Sequence, residues 1–463
     1  MNNDKIKYNI NTVMKKSAII TFATLILCNL GVCAQSSPCR TDGKTLRIDY
    51  IFSGTDKDTE IAVAELTSFN IWAGRNVNLD TTALKGNGQI TMRDLTDSVI
   101  LFRNSFSTLF QEWKNTEEAT RVRKSFENVF LLPMPESKVM ITVELFGFKG
   151  ETIASLEHIV DPADILIRQL PENKHPWKYL MNNGSPQECI DIAVVAEGYT
   201  SQETELFYED ARTAMESILS YQPFDKMRNR FNFIAVALPS DESGVSIPDK
   251  GIWKSTALNS NFSTFYSDRY LTTLHLGDLH DALAGLPYEH IIILANTDNY
   301  GGGGIFNSYT LTTTHHQAFK PVVVHEFGHS FAGLGDEYFY DDQYVETYYP
   351  HIEPWEPNLT TLVNFDSKWK ELLPDGIRIP TAPADEKQMW KDIQDGVSPE
   401  KYIGVYEGGG YQSKGVFRPF PDCRMRTNSA PVFCPACQAA IQNIINFHLV
   451  QSKTDAGSQD KSL

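Results

Sequence analysis

The 463-residue sequence predicts an α+β multidomain chain, a β-sandwich-like domain followed by an α/β domain in which a small sheet is backed by helices. Three observations carry this expectation. Short β-type runs separated by Gly, Asp and Asn turns fill residues 45–160. Buried-strand and helical patterns alternate after residue 189. Between Phe319 and Gly335 lies an apolar helical stretch, with Pro321 suited to its first turn and glycines at its end.

The first 34 residues read as a signal peptide. Lys15 and Lys16 precede an apolar run from Ser17 to Val32, and Val32-Cys33-Ala34 before Gln35 fits a cleavage site. Met14 is an alternative start. The run is shorter than the ~18 to 20 residues a membrane span needs, and Leu27 and Val32 are poor residues to precede a lipidated cysteine. The expectation is an exported protein whose mature chain is not inserted in a membrane.

Residues 35–165 form the β-rich part, with Leu46 to Phe52 and Val139 to Phe146 among its strands. Residues 166–188, holding Pro171, Pro176 and Pro186, read as a linker. Residues 189–451 form the second domain. Asp191 to Ala196, Phe233 to Leu238 and His290 to Ala295 are strands, and Thr200-Ser-Gln-Glu203 is a capping box opening a helix to about Ser220. A last helix spans about Cys437 to Val450, with Ile441, Ile444, Ile445 and Leu449 as its apolar stripe, and residues 452–463 are a polar tail.

The chemistry concentrates in His325-Glu326-Phe327-Gly328-His329. Residues four apart share a helix face, so both imidazoles can converge on one ion, with Glu326 beside it as general base. A catalytic zinc takes three protein ligands and keeps one position open. Asp336, seven residues past His329 and just beyond the glycine turn, is the leading third donor. Glu337 is the runner-up, with Glu346 and Glu353 behind it. A metzincin would carry Gly and His where this chain has Ala332 and Gly335.

The run HEFGHSFAGLGDEY resembles the signature of the bacterial IgA peptidase family of zinc metallopeptidases. Further segments are similar: Ile192 to Thr200, Asn299 to Phe306, Tyr406 to Gly415 and Asp422 to Arg426. The resemblance implies that His325, His329 and Asp336 bind Zn2+ and that Glu326 is the catalytic base. It implies nothing about the substrate.

Other residues carry weaker signals. Gly301 to Gly304 and the residues up to Thr314 read as an edge strand able to pair with an extended peptide, or as a flexible loop. His315 and His316 read as surface groups or as hydrogen-bond partners of the metal ligands, and Met425 as a methionine beneath the metal or in the core. Tyr338, Tyr309, Tyr411 and Arg424 are candidate donors to a developing oxyanion. After leader removal five cysteines remain: Cys39, Cys189, Cys423, Cys434 and Cys437. Cys434-Pro-Ala-Cys437 with Cys423 alone makes an incomplete zinc set, so structural thiols or a disulfide are expected.

The formal charge of −17, reaching about −20 without the +3 of residues 1–34, argues against nucleic acid and anionic membrane surfaces as partners. The expected partner is a protein or glycoprotein substrate, cleaved by a zinc endopeptidase outside the cytoplasm. Two other readings are a non-catalytic adhesin or glycan-binding protein with a structural metal, and a zinc amidase of cell-wall peptides. Structural zinc is usually closed by four protein ligands, so an open three-ligand set with Glu326 beside it favours an enzyme.

Overall fold

The computed structural model describes residues 41–340, 348 and 350–450. The expected signal peptide, the polar tail, Cys39 and Glu346 lie outside them.

The N-terminal part has strands β1 (Thr41–Gly54), β2 (Thr59–Phe69), β3 (Gly88–Asp94), β4 (Ile100–Phe106), β5 (Lys124–Pro135), β6 (Val139–Phe146), β7 (Thr152–Val160) and β8 (Arg168–Gln169). A short helix, α1 (Leu109–Trp113), joins β4 to β5. The strands pair as two four-stranded sheets, β5-β1-β2-β8 and β4-β3-β6-β7. Strand periodicity explains why both sheets bury one face. Leu46, Ile48, Tyr50 and Phe52 point one way from β1, Val139, Ile141, Val143 and Leu145 one way from β6, and all join a single apolar cluster.

The next part is built on β9 (Trp177–Met181), β10 (Ile190–Glu197), α2 (Thr204–Leu219), β11 (Phe231–Val236), α3 (Leu276–Ala282), β12 (His290–Ala295), β13 (Gly302–Ile305), β14 (Tyr309–Thr313) and α4 (Phe319–Ala332). Its six-stranded sheet has the order β13-β14-β12-β10-β11-β9, parallel from β14 to β11, with β13 and β9 antiparallel at the edges. Every residue of β10 is buried, as expected of a parallel strand covered on both faces. Alternate residues serve different cores. Ile192, Val194, Ile292 and Leu294 pack with Phe207, Phe327 and Phe331 of α2 and α4. Ala193, Val195, Ile291 and Ile293 instead join the same apolar cluster as the N-terminal sheets. The central sheet is therefore a wall shared by the β-rich part and the helices.

Two local features add to the sequence reading. The capping box is formed at both arms, with Thr200 and Glu203 closing a 3-10 turn ahead of α2. Part of the Pro-rich 166–188 segment is not a plain connector, because Trp177–Met181, a β-favouring run between prolines, supplies edge strand β9.

Beyond the helix α5 (Glu386–Gln394) and the hairpin β15 (Tyr406–Gly409) and β16 (Gln412–Arg418), the described chain closes with α6 (Pro435–Leu449), which buries Ile441, Ile444 and Ile445. The C-terminal end of α6 is held by the β-rich part. Asn78 Nδ2 donates to the carbonyls of Phe447 (2.7 Å) and Val450 (2.8 Å), which a helix end otherwise leaves without partners. The Arg75 guanidinium lies 5.0 Å from the Phe447 ring centroid. Asn78→Ala is expected to lower stability by about 1–2 kcal/mol, measured as a fall in denaturation midpoint, because two part-buried bonds to helix-end carbonyls are lost.

Beside this clasp, Glu289 meets His448 Nδ1 at 3.2 Å. Burial pushes the Glu289 carboxyl up to about 8, more than Arg75 nearby holds it down. A carboxyl raised in the folded state keeps its proton where the unfolded chain has lost it, so its contribution is full below about pH 4.5 and is lost as pH rises through about 8. Glu289→Gln should flatten the fall of thermal stability across that window; an unchanged slope between the two proteins would remove this group as its cause.

Candidate metal centre

Helix α4 carries the two histidines to the edge of the sheet. It ends because Gly333 adopts a left-handed conformation (φ 59°), and the N–H groups of Gly333 and Leu334 return to the carbonyls of His329 and Gly328. The reversal brings the Leu334 carbonyl to 2.5 Å from His329 Nδ1 and leads directly into Asp336. The other imidazole is anchored from a distant segment, His325 Nδ1 lying 2.9 Å from the Arg424 carbonyl.

These contacts fix the tautomers. A carbonyl only accepts, so both Nδ1 atoms carry a proton, and in the neutral imidazoles both Nε2 lone pairs are free. The Nε2 atoms are 3.1 Å apart, and Asp336 Oδ1 lies 3.1 Å from that of His325 and 3.2 Å from that of His329. Oδ1 is buried and receives no hydrogen bond. With both imidazoles neutral, three acceptors face one another, an arrangement that suits a cation at their centre. A tetrahedral ion with bonds of about 2.0–2.2 Å sets its ligand atoms about 3.3 Å apart, close to these separations. Without an ion, burial disfavours the imidazolium of His329, but the Asp336 carboxylate outweighs it and holds the group at about 9.

Glu326 stands beside the histidines, its carboxylate among the donor atoms that cluster there. Burial raises its pKa, while the two imidazoles and Arg269 oppose the rise. Strand β13 passes closely over this helix face. A Cβ on Gly302 would come within 3.0 Å of Glu326 Cγ, and one on Gly304 within 2.2 Å of the Glu326 carbonyl oxygen and 2.9 Å of His329 Cβ. The glycine run is therefore ordered strand whose lack of side chains lets it approach the site, and it forms the sheet edge itself. That edge is partly taken: the Gly302 N–H donates to the Arg269 carbonyl at 3.3 Å.

The remaining candidates separate. Tyr411 donates to Asp336 Oδ2 and so steadies the carboxylate. Tyr338 packs edge-on against Tyr411, ring centroids 5.3 Å apart. Arg424 uses its guanidinium on the carbonyls of Thr427, Asn428 and Ala430 and on Tyr221, and Tyr309 donates to the Thr273 carbonyl, so neither is free to face a substrate. His315 meets Asp210 at 2.9 Å, and His316 accepts from the Ala318 N–H. Met425 is wholly buried against Gly328 in the middle of α4. Glu353 accepts from the Asn364 N–H, and Glu337 turns into a different cluster, so neither joins the histidines.

Sequence reasoning missed three neighbours. Glu112 of α1 accepts a 2.5 Å hydrogen bond from Tyr270, and burial pushes it up to about 7, with His329, Asp336 and Glu326 all within its electrostatic reach. Arg269 lies next to Tyr270, donates to the Tyr340 hydroxyl at 3.1 Å, and acts on Glu326. No spacing rule links positions 112, 269 and 270 to residue 325.

A family model described as IgA Peptidase M64 matches residues 179–398 and 393–445, and one described as Peptidase M64 N-terminus matches residues 40–157. A search of curated proteins found no match.

Gly304→Ala should cost about 1–3 kcal/mol of stability by overpacking and weaken metal retention, read from thermal denaturation and bound metal after dialysis. A variant that retains both would show that β13 can shift away from α4 at little cost.

Proposed function

The chain belongs to the IgA peptidase M64 family, and from that premise we propose that it is an exported zinc-dependent endopeptidase acting on extracytoplasmic proteins or glycoproteins. The observation that carries the reading is the convergence of His325 Nε2, His329 Nε2 and Asp336 Oδ1 within 3.1–3.2 Å, with Glu326 beside them. Three donors with one open position suit a catalytic rather than a structural ion, and imidazole with carboxylate suits zinc.

In this reading His325, His329 and Asp336 hold the zinc. When bound, the ion supplies Lewis acidity, polarising the scissile carbonyl and making water nucleophilic near neutral pH. Glu326 takes the proton of the attacking water at its carboxylate and passes it to the leaving amine. Its burial raises its basicity for that exchange. Leu334 and Arg424 keep the imidazoles in register through their carbonyls, and Tyr411 does so for Asp336. Arg269 and Tyr338 are candidates to stabilise charge on the carbonyl oxygen.

Export rests on the leader pattern of residues 1–34. Among the described residues, no helix is long and apolar enough to cross a membrane. The acidic surface disfavours nucleic acid as a partner.

Incubation of the metal-loaded protein with a denatured protein and a peptide library, cleavage sites read by mass spectrometry, tests the activity. Glu326→Gln should retain fold and metal while losing at least about 10²-fold in rate. Chelation should abolish cleavage and zinc restore it. Full activity in the Gln variant, or in metal-free protein, would refute the mechanism.

A further inference from the structure

Asp336 and Glu337 are consecutive, yet their carboxylates serve different clusters. Glu337 Oε1 lies 3.1 Å from Cys437 Sγ, and Cys423 Sγ lies 3.8 Å from Cys437 Sγ. With Cys434, the four ligand atoms all lie within 4.8 Å of one another. All four residues are buried, and the three cysteines are free thiols. Glu337 Oε2 is buried with no hydrogen-bond partner.

We propose that Glu337, Cys423, Cys434 and Cys437 bind a second zinc ion, a closed structural site that buttresses the first. Three sulfurs and a carboxylate complete the four-ligand shell expected of structural zinc. A tetrahedral ion with Zn–S bonds of about 2.3 Å separates its sulfurs by about 3.8 Å, whereas a disulfide requires about 2.05 Å. The Cys423–Cys437 separation of 3.8 Å fits the former.

Two backbone N–H groups are aimed at the sulfurs. The Cys434 N–H donates to Cys423 Sγ at 3.2 Å, and the Cys437 N–H to Cys434 Sγ at 3.5 Å. Cys434 caps the N-terminus of α6, whose dipole favours negative charge. Binding releases the thiol protons to solvent.

Such an ion joins segments that the first site depends on. Residue 337 follows Asp336, and its N–H donates to the Met425 carbonyl at 2.8 Å. Residue 423 precedes Arg424, whose carbonyl orients His325, and Met425, which packs against Gly328. Tying Glu337 to Cys423 holds the third ligand and the anchor of the first in one frame.

The ligand set does not depend on the proposed reaction, so its test reads metal and not cleavage. Full-length protein purified without chelator should contain about two equivalents of zinc, and His325→Ala/His329→Ala about one. Cobalt exchanged into that double variant should show thiolate-to-cobalt charge-transfer absorption, which histidine and aspartate ligands cannot produce. Cys434→Ser should lose this band and hold the remaining zinc about 10–100-fold more weakly. Should that variant fail to fold, the double histidine variant still decides the question. A metal-free double histidine variant, or a disulfide among the three cysteines in unreduced protein, would overturn the proposal.

Discussion

The two Nδ1–H to carbonyl hydrogen bonds of His325 and His329 are the contacts on which the candidate centre turns. Each fixes the proton of the neutral ring on the nitrogen turned away from Asp336, and each acceptor comes from backbone that must itself be held. Leu334 offers its carbonyl only because Gly333 reverses the chain, and that same reversal delivers Asp336. Arg424 offers its carbonyl only because the segment around Met425 is packed beneath α4. Protonation state, ligand geometry and the path of two loops are thus one constraint.

Packing around α4 follows from the same requirement. The helix must be rigid on its sheet side, where Phe327 and Phe331 enter the apolar cluster with β10 and β12, and accessible on its histidine side. The glycine strand β13 meets both demands, covering the helix edge without side chains that would fill the approach to Glu326. On the opposite face, the central sheet shares its apolar cluster with the β-rich part. That part also sends Glu112 toward the histidines, so its influence on the site is electrostatic as well as mechanical.

Much of this was legible in the sequence where the signal is local. The helical stretch with its Gly333 stop, the capping box at Thr200, and the alternation in β1 and β6 depend on neighbours within a few residues. His325, Glu326, His329 and Asp336 fall within a single helix and its reversal, and the structure gathers the three donors it was natural to single out. What was illegible is long-range. Glu337 was weighed for the wrong cluster because its true neighbours lie far ahead at 423, 434 and 437, and the cysteines seemed to lack a fourth donor for the same reason. The glycine run was ambiguous because the reason for its glycines is a helix that follows it.

The clasp of Asn78 and Arg75 on the end of α6 sets the order in which the molecule can become whole. The helix begins at the cysteines that gather with Glu337 and ends on a residue of the N-terminal part. A chain emerging from the ribosome can close its first two sheets once residue 169 has been made. Arg424, which orients His325, and α6 arrive close to the end of the described chain. A chain that stops short of residue 424 therefore carries the histidines without the carbonyl that orients His325.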